Sequence, residues 1–305
     1  MNVFVISEPG KLFVKDGGLA FANSKGEVAY LANLYDVIIL ATSKVSVTGA
    51  ALRAMGRLGV DLVVLEWNGR PSGRFSSPVP NKSALARLKQ YEVVLKGEGL
   101  KYAKPMIVRK IIEQGRTLRY FAKTKRMKWL REASYELEKL SADASSAGSP
   151  EALRAVEAQA ARLYWGLLSE AFPEFPGREH EGCDPYNSAI NYSYGILYSY
   201  AFKALSVTGL DPYAGLFHAI KSGREALVYD FSEQFKPLVD RRALPLAHEL
   251  EVDGCSLTYS SRKALGEEIK KLLESCDKTL LAEAWNLASS MREGREYLPG
   301  WKGCT

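Results

Sequence analysis

The sequence predicts an α+β protein: a small N-terminal β-rich domain with one helix, joined to a larger all-α C-terminal domain. Three observations lead there. Short apolar runs separated by Gly, Pro and Asp fill residues 1–75, and beyond them the hydrophobic spacing turns helical almost everywhere. Between the two, residues 68–81 (NGRPSGRFSSPVPN) are dense in Gly, Pro and Ser. That stretch predicts a linker at about 68–83 and divides the chain into 1–75 and 76–305. With 305 residues, 47% of them hydrophobic, the chain can bury a substantial core.

Within the first part, 3–6, 11–14, 19–22 and 28–30 read as short strands cut by Pro9-Gly10, Asp16-Gly17-Gly18 and Lys25-Gly26. An Asp-Gly-Gly turn between apolar runs is a hairpin signal. Val37-Ile38-Ile39-Leu40 reads as a compact buried strand. Over 46–58 the period changes, placing Ala51, Leu52, Met55 and Leu58 on one helical face, with Gly59 as the stop. Residues 61–67 return to strand.

In the second part, 84–140 is dominated by helix formers with Pro105 as its only proline, and 141–149 (SADASSAGS) reads as a loop of small residues. Ser149-Pro150-Glu151 supplies a capping hydroxyl, a proline at the first helical position and an acid in the first turn. The helix it opens should run to about 170, with Leu153, Val156, Ala160, Leu163, Tyr164 and Leu167 as its apolar stripe and Glu157 on the edge. Pro173, Pro176 and Gly177 break it, and Asp184-Pro185 starts the next. Asp211-Pro212 predicts a further helix carrying His218 and stopping near Gly223. Helix resumes over 227–239, up to or around Pro237; 261–291 reads as a helical pair, and the tail 292–305 as loosely ordered.

Several classes are excluded at this stage. Cys183, Cys255, Cys276 and Cys304 are scattered without a CxxC pair, which suggests neither a zinc knuckle nor a disulfide framework but reduced thiols of a cytoplasmic protein. The N-terminus lacks the pattern of a signal peptide, and no apolar run approaches the roughly 18 residues of a membrane span.

The net charge of +6 says little, but its distribution says more. Residues 101–131 hold eleven Lys and Arg against one acid, Glu113, with Tyr102, Tyr120, Phe121 and Trp129 interleaved. Such a strip suits a phosphate backbone with rings for stacking; a solvated helix face has the same composition. The second concentration of chemistry is 211–240. His218, one of three histidines, is followed by Glu233, and Asp230 precedes Glu233 by three residues, so on a helix both carboxylates project to one side. Histidine with carboxylates is a poor structural zinc set and suits Mg²⁺ or Mn²⁺, which keep waters and take substrate phosphates. Burying an unpaired acid such as Glu157 is costly unless it meets a metal or a cation. His180 and His248 lie in loop-like acidic surroundings and are set aside.

Glu157 in VEAQAARLYW, Asn187 in DPYNSAINYSYGILYS, His218 in GLDPYAGLFHA, and LVYDFSEQFKPLVD together resemble the CRISPR-associated endonuclease/integrase of spacer acquisition, the first Cas family. The N-terminal SVTGAALRAMGRLGVDLVVLEWNGRPSGRF agrees, so the likeness spans most of the chain. The resemblance implies a β domain that dimerises, a helical catalytic domain, and a complex with the small second CRISPR-associated protein. It implies a metal-dependent DNA endonuclease/integrase that captures foreign DNA and inserts it as new spacers by phosphodiester transesterification on double-stranded and branched DNA. Carried over residue by residue, Glu157, His218 and Glu233 are the metal ligands, Asp230 a further acid of the site, Asn187 its supporting amide, and Lys236 a basic residue near the DNA. Asp240 is left at the surface. Arg109, Arg116, Arg119, Lys123 and Arg126 are DNA-contact candidates from the composition of their strip alone. Two other readings use the same residues: a non-catalytic DNA-binding scaffold, against which the complete Glu-His-Glu set speaks, and an RNA-processing metallonuclease.

Overall fold

Two four-stranded sheets and nine α-helices make up the computed structural model, which describes residues 3–31, 35–67, 69–76 and 84–301. The first sheet has the order β1 (Val3–Ile6), β5 (Val37–Leu40), β7 (Asp61–Leu65), β8 (Pro71–Phe75); its first three strands are parallel and β8 is antiparallel. The second has the order β4 (Val28–Tyr30), β3 (Gly18–Asn23), β2 (Gly10–Lys15), β6 (Val45–Val47). The β2–β3 hairpin turns through Asp16 and Gly17 alone, both at positive φ, the geometry whose twist matches the flanking strands. Helix α1 (Gly49–Leu58) is capped by Thr48 and closed by Gly59. It buries Ala51, Ala54 and Met55, whereas Leu58, expected on the apolar face, is exposed.

The buried strand β5 works on both faces. Ile38 and Leu40 join α1 and the second sheet in one apolar cluster; Val37 and Ile39 point the other way, into the cluster of the helical part. Parallel strands covered on both faces read as continuous apolar runs. The N-terminal part therefore shares its core with the helices. The expected linker at 68–83 is in part structure: 71–75 form β8, while 68 and 77–83 lie outside the described residues.

The helical part comprises α2 (Ala84–Leu95), α3 (Leu100–Thr124), α4 (Lys128–Ser146), α5 (Pro150–Ala171), α6 (Pro185–Thr208), α7 (Ala226–Ser232), α8 (Lys236–Ala243) and α9 (Tyr259–Glu293), with a two-residue-strand hairpin, β9 (Val252–Asp253) and β10 (Ser256–Leu257), before α9. Ser149 and Asp184 cap α5 and α6 through their side chains, each ahead of a proline at the start of its helix. α6 is buried around most of its circumference and is the central post. The turn before β8 lies so close to it that a Cβ on Gly195 would stand 1.8 Å from the carbonyl oxygen of Gly69.

Several expectations are corrected. The small-residue stretch 141–149 is helical through Ser146, because its alanines are good helix formers and Ala144 packs into the core. The pair expected over 261–291 is one helix, α9, with Leu265, Ile269, Leu273, Cys276, Leu280, Ala284 and Leu287 buried along its length. The tail is packed: Tyr297 and Trp301 are buried, held by Glu283 and Gln234. Cys183 and Cys255, expected as thiols, are joined in a disulfide that ties the loop before α6 to the β9–β10 hairpin. No spacing rule identifies such a pair 72 residues apart. Among the described residues, no helix is long and apolar enough to cross a membrane.

The helix expected from Asp211-Pro212 does not form. Its backbone groups are claimed from outside: Gln90 of α2 donates to the carbonyls of Asp211 and Ala214 and accepts from the amide of Asp211, at 2.9, 2.8 and 2.7 Å. The amides of Leu216, Phe217 and His218 turn to the Asp230 carboxylate. Downstream, Pro237 has no N–H to offer the carbonyl of Glu233 and its ring crowds that oxygen. The chain tightens into a 3-10 turn, Glu233–Phe235, between α7 and α8, which sets Glu233 at a helix break.

Candidate active site

A cavity of about 780 Å³ opens between α3, α5, α6, the 211–223 loop and α8. Glu157, His218 and Glu233 line it, so the structure brings the three expected ligands to one place from α5, the loop and the 3-10 turn. Lys236, Asp240, Lys110, Arg178 and His180 line it too.

Asp230, only 2% exposed, is the organiser of the loop. Its Oδ2 accepts from the amides of Leu216 and Phe217 at 2.6 and 3.0 Å. Its Oδ1 accepts from the amide of His218 at 2.9 Å and from its Nδ1 at 2.6 Å. With Nδ1 engaged as donor, Nε2 is the ring nitrogen left to act. From the other side, Arg154, one turn before Glu157 on α5, donates to the Phe217 carbonyl at 2.9 Å and lies over its ring.

The two glutamates are joined by a lysine. Nζ of Lys110 stands 2.7 Å from Oε1 of Glu157 and 2.6 Å from Oε2 of Glu233. Lys236 meets the other Glu233 oxygen at 2.7 Å. Burial alone would raise the Glu233 carboxyl, but the two ammonium groups outweigh it and hold its pKa far below the usual range. Burial pulls the lysines down, and the carboxylates more than offset this, so both are held charged. Rings of Tyr194 and Tyr198 lie under the Lys236 ammonium at 5.1 and 5.6 Å.

Asp240, expected at the surface, is buried and accepts from Tyr194 Oη at 2.6 Å and Tyr164 Oη at 3.0 Å. Burial pushes its carboxyl up to about 6 against the lowering effect of those hydroxyls. His180, set aside on sequence, belongs to the cavity; burial and the neighbouring Arg178 guanidinium push it down to about 4. Asn187 is not among the lining residues. Its oxygen accepts from the amide of Glu179 and from Arg178, and its amide donates to Gly177 and Asp184. It shapes the loop that presents Arg178 and His180.

The basic strip is divided. Arg109 bonds the Trp301 carbonyl and Glu113, Arg116 pairs with Glu113, and Arg119 with Glu138. Lys123 and Arg126 remain exposed at the α3–α4 turn. The cavity has its own cations, Arg70, Arg178, Lys221 and Arg224 among them, contributed by loops that composition counting passed over.

The donor set, one imidazole and two carboxylates on one cavity, is that of a hard divalent cation. Oε2 of Glu233 is buried, and its one partner among the described residues is the Lys110 ammonium at 2.6 Å. An acceptor with a lone pair left over and an imidazole oriented by a carboxylate fit a metal chemically. As they are placed, no three His, Cys, Asp or Glu among the described residues stand close enough to hold one, and the Lys110 ammonium is what lies between the two glutamates.

Comparison with known proteins gives a consistent result. The family model described as CRISPR associated protein Cas1 matches residues 4–271. A CRISPR-associated endonuclease Cas1 from Hyperthermus butylicus is 37% identical, with 98% of each chain covered. Among solved structures, a casposase bound to its integration product matches with a TM-score of 0.86 at 19% identity, covering 99% of this chain and 95% of that one. A Cas6-RT-Cas1–Cas2 complex matches with a TM-score of 0.82 at 19% identity, over 99% of this chain and 36% of that one. The two structures share the fold.

Proposed function

The chain belongs to the CRISPR-associated Cas1 family, and from that premise we propose that it is a nuclease acting on DNA, an endonuclease and integrase that inserts captured DNA into a CRISPR array. The observation that carries this reading is the His218–Asp230 pair set on the same cavity as Glu157 and Glu233, beneath a rim of cations. In integration, a 3′-hydroxyl attacks a phosphodiester at the array: the new phosphorus–oxygen bond forms, the old one breaks, and a 3′-hydroxyl leaves. In cleavage, water takes the place of the attacking hydroxyl.

Glu157, His218 through Nε2, and Glu233 would hold Mg²⁺ or Mn²⁺, which supplies Lewis-acid polarisation of the phosphate when bound. The protein's own groups do the rest. Asp230 fixes the histidine's tautomer and orientation. Lys236, seated on two tyrosine rings, faces the developing phosphate charge from a fixed position. Arg178, Lys221 and Arg224 at the cavity attract and align the backbone. The active assembly is a homodimer in complex with the small second CRISPR-associated protein.

The test is strand joining and cleavage of duplex DNA, branched DNA and RNA in Mn²⁺ by wild type, His218→Ala and Glu157→Ala. Each variant should lose activity by at least about a hundredfold while sedimenting as wild type does. Full activity in either refutes the assignment, and preference for RNA redirects it to the other substrate.

A further inference from the structure

We propose that the Lys110 ammonium is a built-in counter-ion of this site, holding Glu157 and Glu233 together until a divalent cation displaces it, so that Lys110 sets the metal affinity. The inference rests on the metal reading given above and adds a competitor that the ligand set does not contain.

Lys110 comes from α3, an element that supplies none of the three donors, and its Nζ bridges carboxylates from two other elements at 2.7 and 2.6 Å. Glu233 is 4% exposed and Glu157 19%, so the two negative charges face each other with little water to screen them. Something positive has to stand between them, and the lysine does. The local charges already balance: two carboxylates face two ammonium groups, since Lys236 holds the second oxygen of Glu233. Adding a doubly charged ion to that balanced set would leave two cations within contact distance of each other. Exchange avoids it. Lys236 stays on Glu233, Lys110 moves out, and both carboxylates turn to the ion.

The structure also provides a place for the ammonium to go. Gln114, one helical turn further along α3, lines the same cavity, and its Oε1 is buried with no hydrogen-bond partner. A buried acceptor without a donor carries a cost that a lysine swinging one turn along its own helix would remove. The flexible four-carbon stem of lysine permits that motion, where a guanidinium fork would not.

The experiment is calorimetric titration of Mn²⁺ into DNA-free wild type, Lys110→Gln and Lys110→Arg, with thermal melts in EDTA and in Mn²⁺. Removing the competing charge should tighten Mn²⁺ binding of Lys110→Gln about tenfold. The same variant should melt lower than wild type in EDTA and gain more from Mn²⁺. Lys110→Arg keeps the charge and should bind no more tightly than wild type. Equal or weaker binding by Lys110→Gln overturns the proposal, as does tighter binding by Lys110→Arg. If wild type and both variants stay folded and none takes Mn²⁺, the metal reading itself fails and the proposal falls with it. If Lys110→Gln does not fold, Gln114→Leu asks the same question with Lys110 in place: Mn²⁺ binding should weaken, and unchanged binding overturns the exchange.

Discussion

Asp230→Asn replaces one oxygen by an amide at the point where the 211–223 loop is held, and the cost can be worked from the four hydrogen bonds the carboxylate accepts. The side chain is 2% exposed, so water cannot stand in for a lost acceptor. Asparagine keeps one accepting oxygen. If that oxygen faces His218, the amides of Leu216 and Phe217 are left pointing at an NH₂ group; if it faces them, the amide and Nδ1 of His218 are. The first orientation leaves two donors without a partner; the second leaves one, because the ring can carry its proton on Nε2 and accept from the NH₂ group at Nδ1. Hydrogen bonds to a charged group are worth about 1.5–3 kcal/mol each, so the loss is at least about 1.5 kcal/mol. At about 2 °C per kcal/mol, the low end for a chain somewhat smaller than this one, the melting temperature should fall by at least roughly 3 °C. Differential scanning calorimetry near neutral pH reads it directly. Activity should fall as well, because one orientation frees the loop and the other forces the imidazole into the wrong tautomer. A melting point within about 2 °C of wild type would show that Asp230 does not hold the loop, and the account of how His218 is oriented would fall with it.

Two further outcomes follow from the same geometry. Asp240 titrates at about 6 in the folded protein against an ordinary value of 3.8, so the fold binds its proton more tightly; the stability this contributes is complete below 3.8 and is lost as pH rises to about 6. His180, pushed down to about 4 from 6.5, acts in the opposite sense, its contribution present above 6.5 and lost as pH falls to about 4. The two oppose each other, so the quantity to measure is the melting-point difference between wild type and Asp240→Asn. It should move against wild type as pH rises from 4 to 6 and then level off; a difference independent of pH refutes it. On DNA binding, Lys221→Glu with Arg224→Glu should weaken affinity and flatten its salt dependence, whereas Arg119→Glu should do less, because that guanidinium is paired with Glu138. The reverse order, read by fluorescence anisotropy across a salt series, would return the DNA to the strip.

The sequence showed most clearly what depends on periodicity and local chemistry. The Asp16-Gly17 hairpin, the buried strand at 37–40 and the Ser149-Pro150 and Asp184-Pro185 helix starts all follow from a few adjacent residues. The failures share one cause, which is competition from residues distant in the chain. Asp211-Pro212 is as good a helix start as Asp184-Pro185, yet Gln90 and Asp230, at separations of 121 and 14 from the groups they bind, take the backbone that a helix needed. Asp240 looked like surface because nothing nearby in sequence announces Tyr164 and Tyr194. Arg109 and Arg119 looked free because composition counts charges without their partners.

The same competition explains why the tail is part of the site's support. Trp301 is reached by the residues next to both members of the central ion pair: Arg109, beside Lys110, donates to its carbonyl at 2.6 Å, and Gln234, beside Glu233, accepts from its indole at 3.1 Å. Glu283 of α9 completes the clamp by accepting from Tyr297 and from the amide of Gly300. Lys110 and Glu233 sit on elements with no covalent reason to be close, since 122 residues of chain lie between them. A 3-10 turn at a helix break is poorly fixed by its own hydrogen bonds alone, whereas α3 runs unbroken through Lys110. Fastening the neighbours of both to one buried tryptophan limits how far α3 and the turn can shift relative to each other, and so supports the 2.6 Å placement of ammonium against carboxylate.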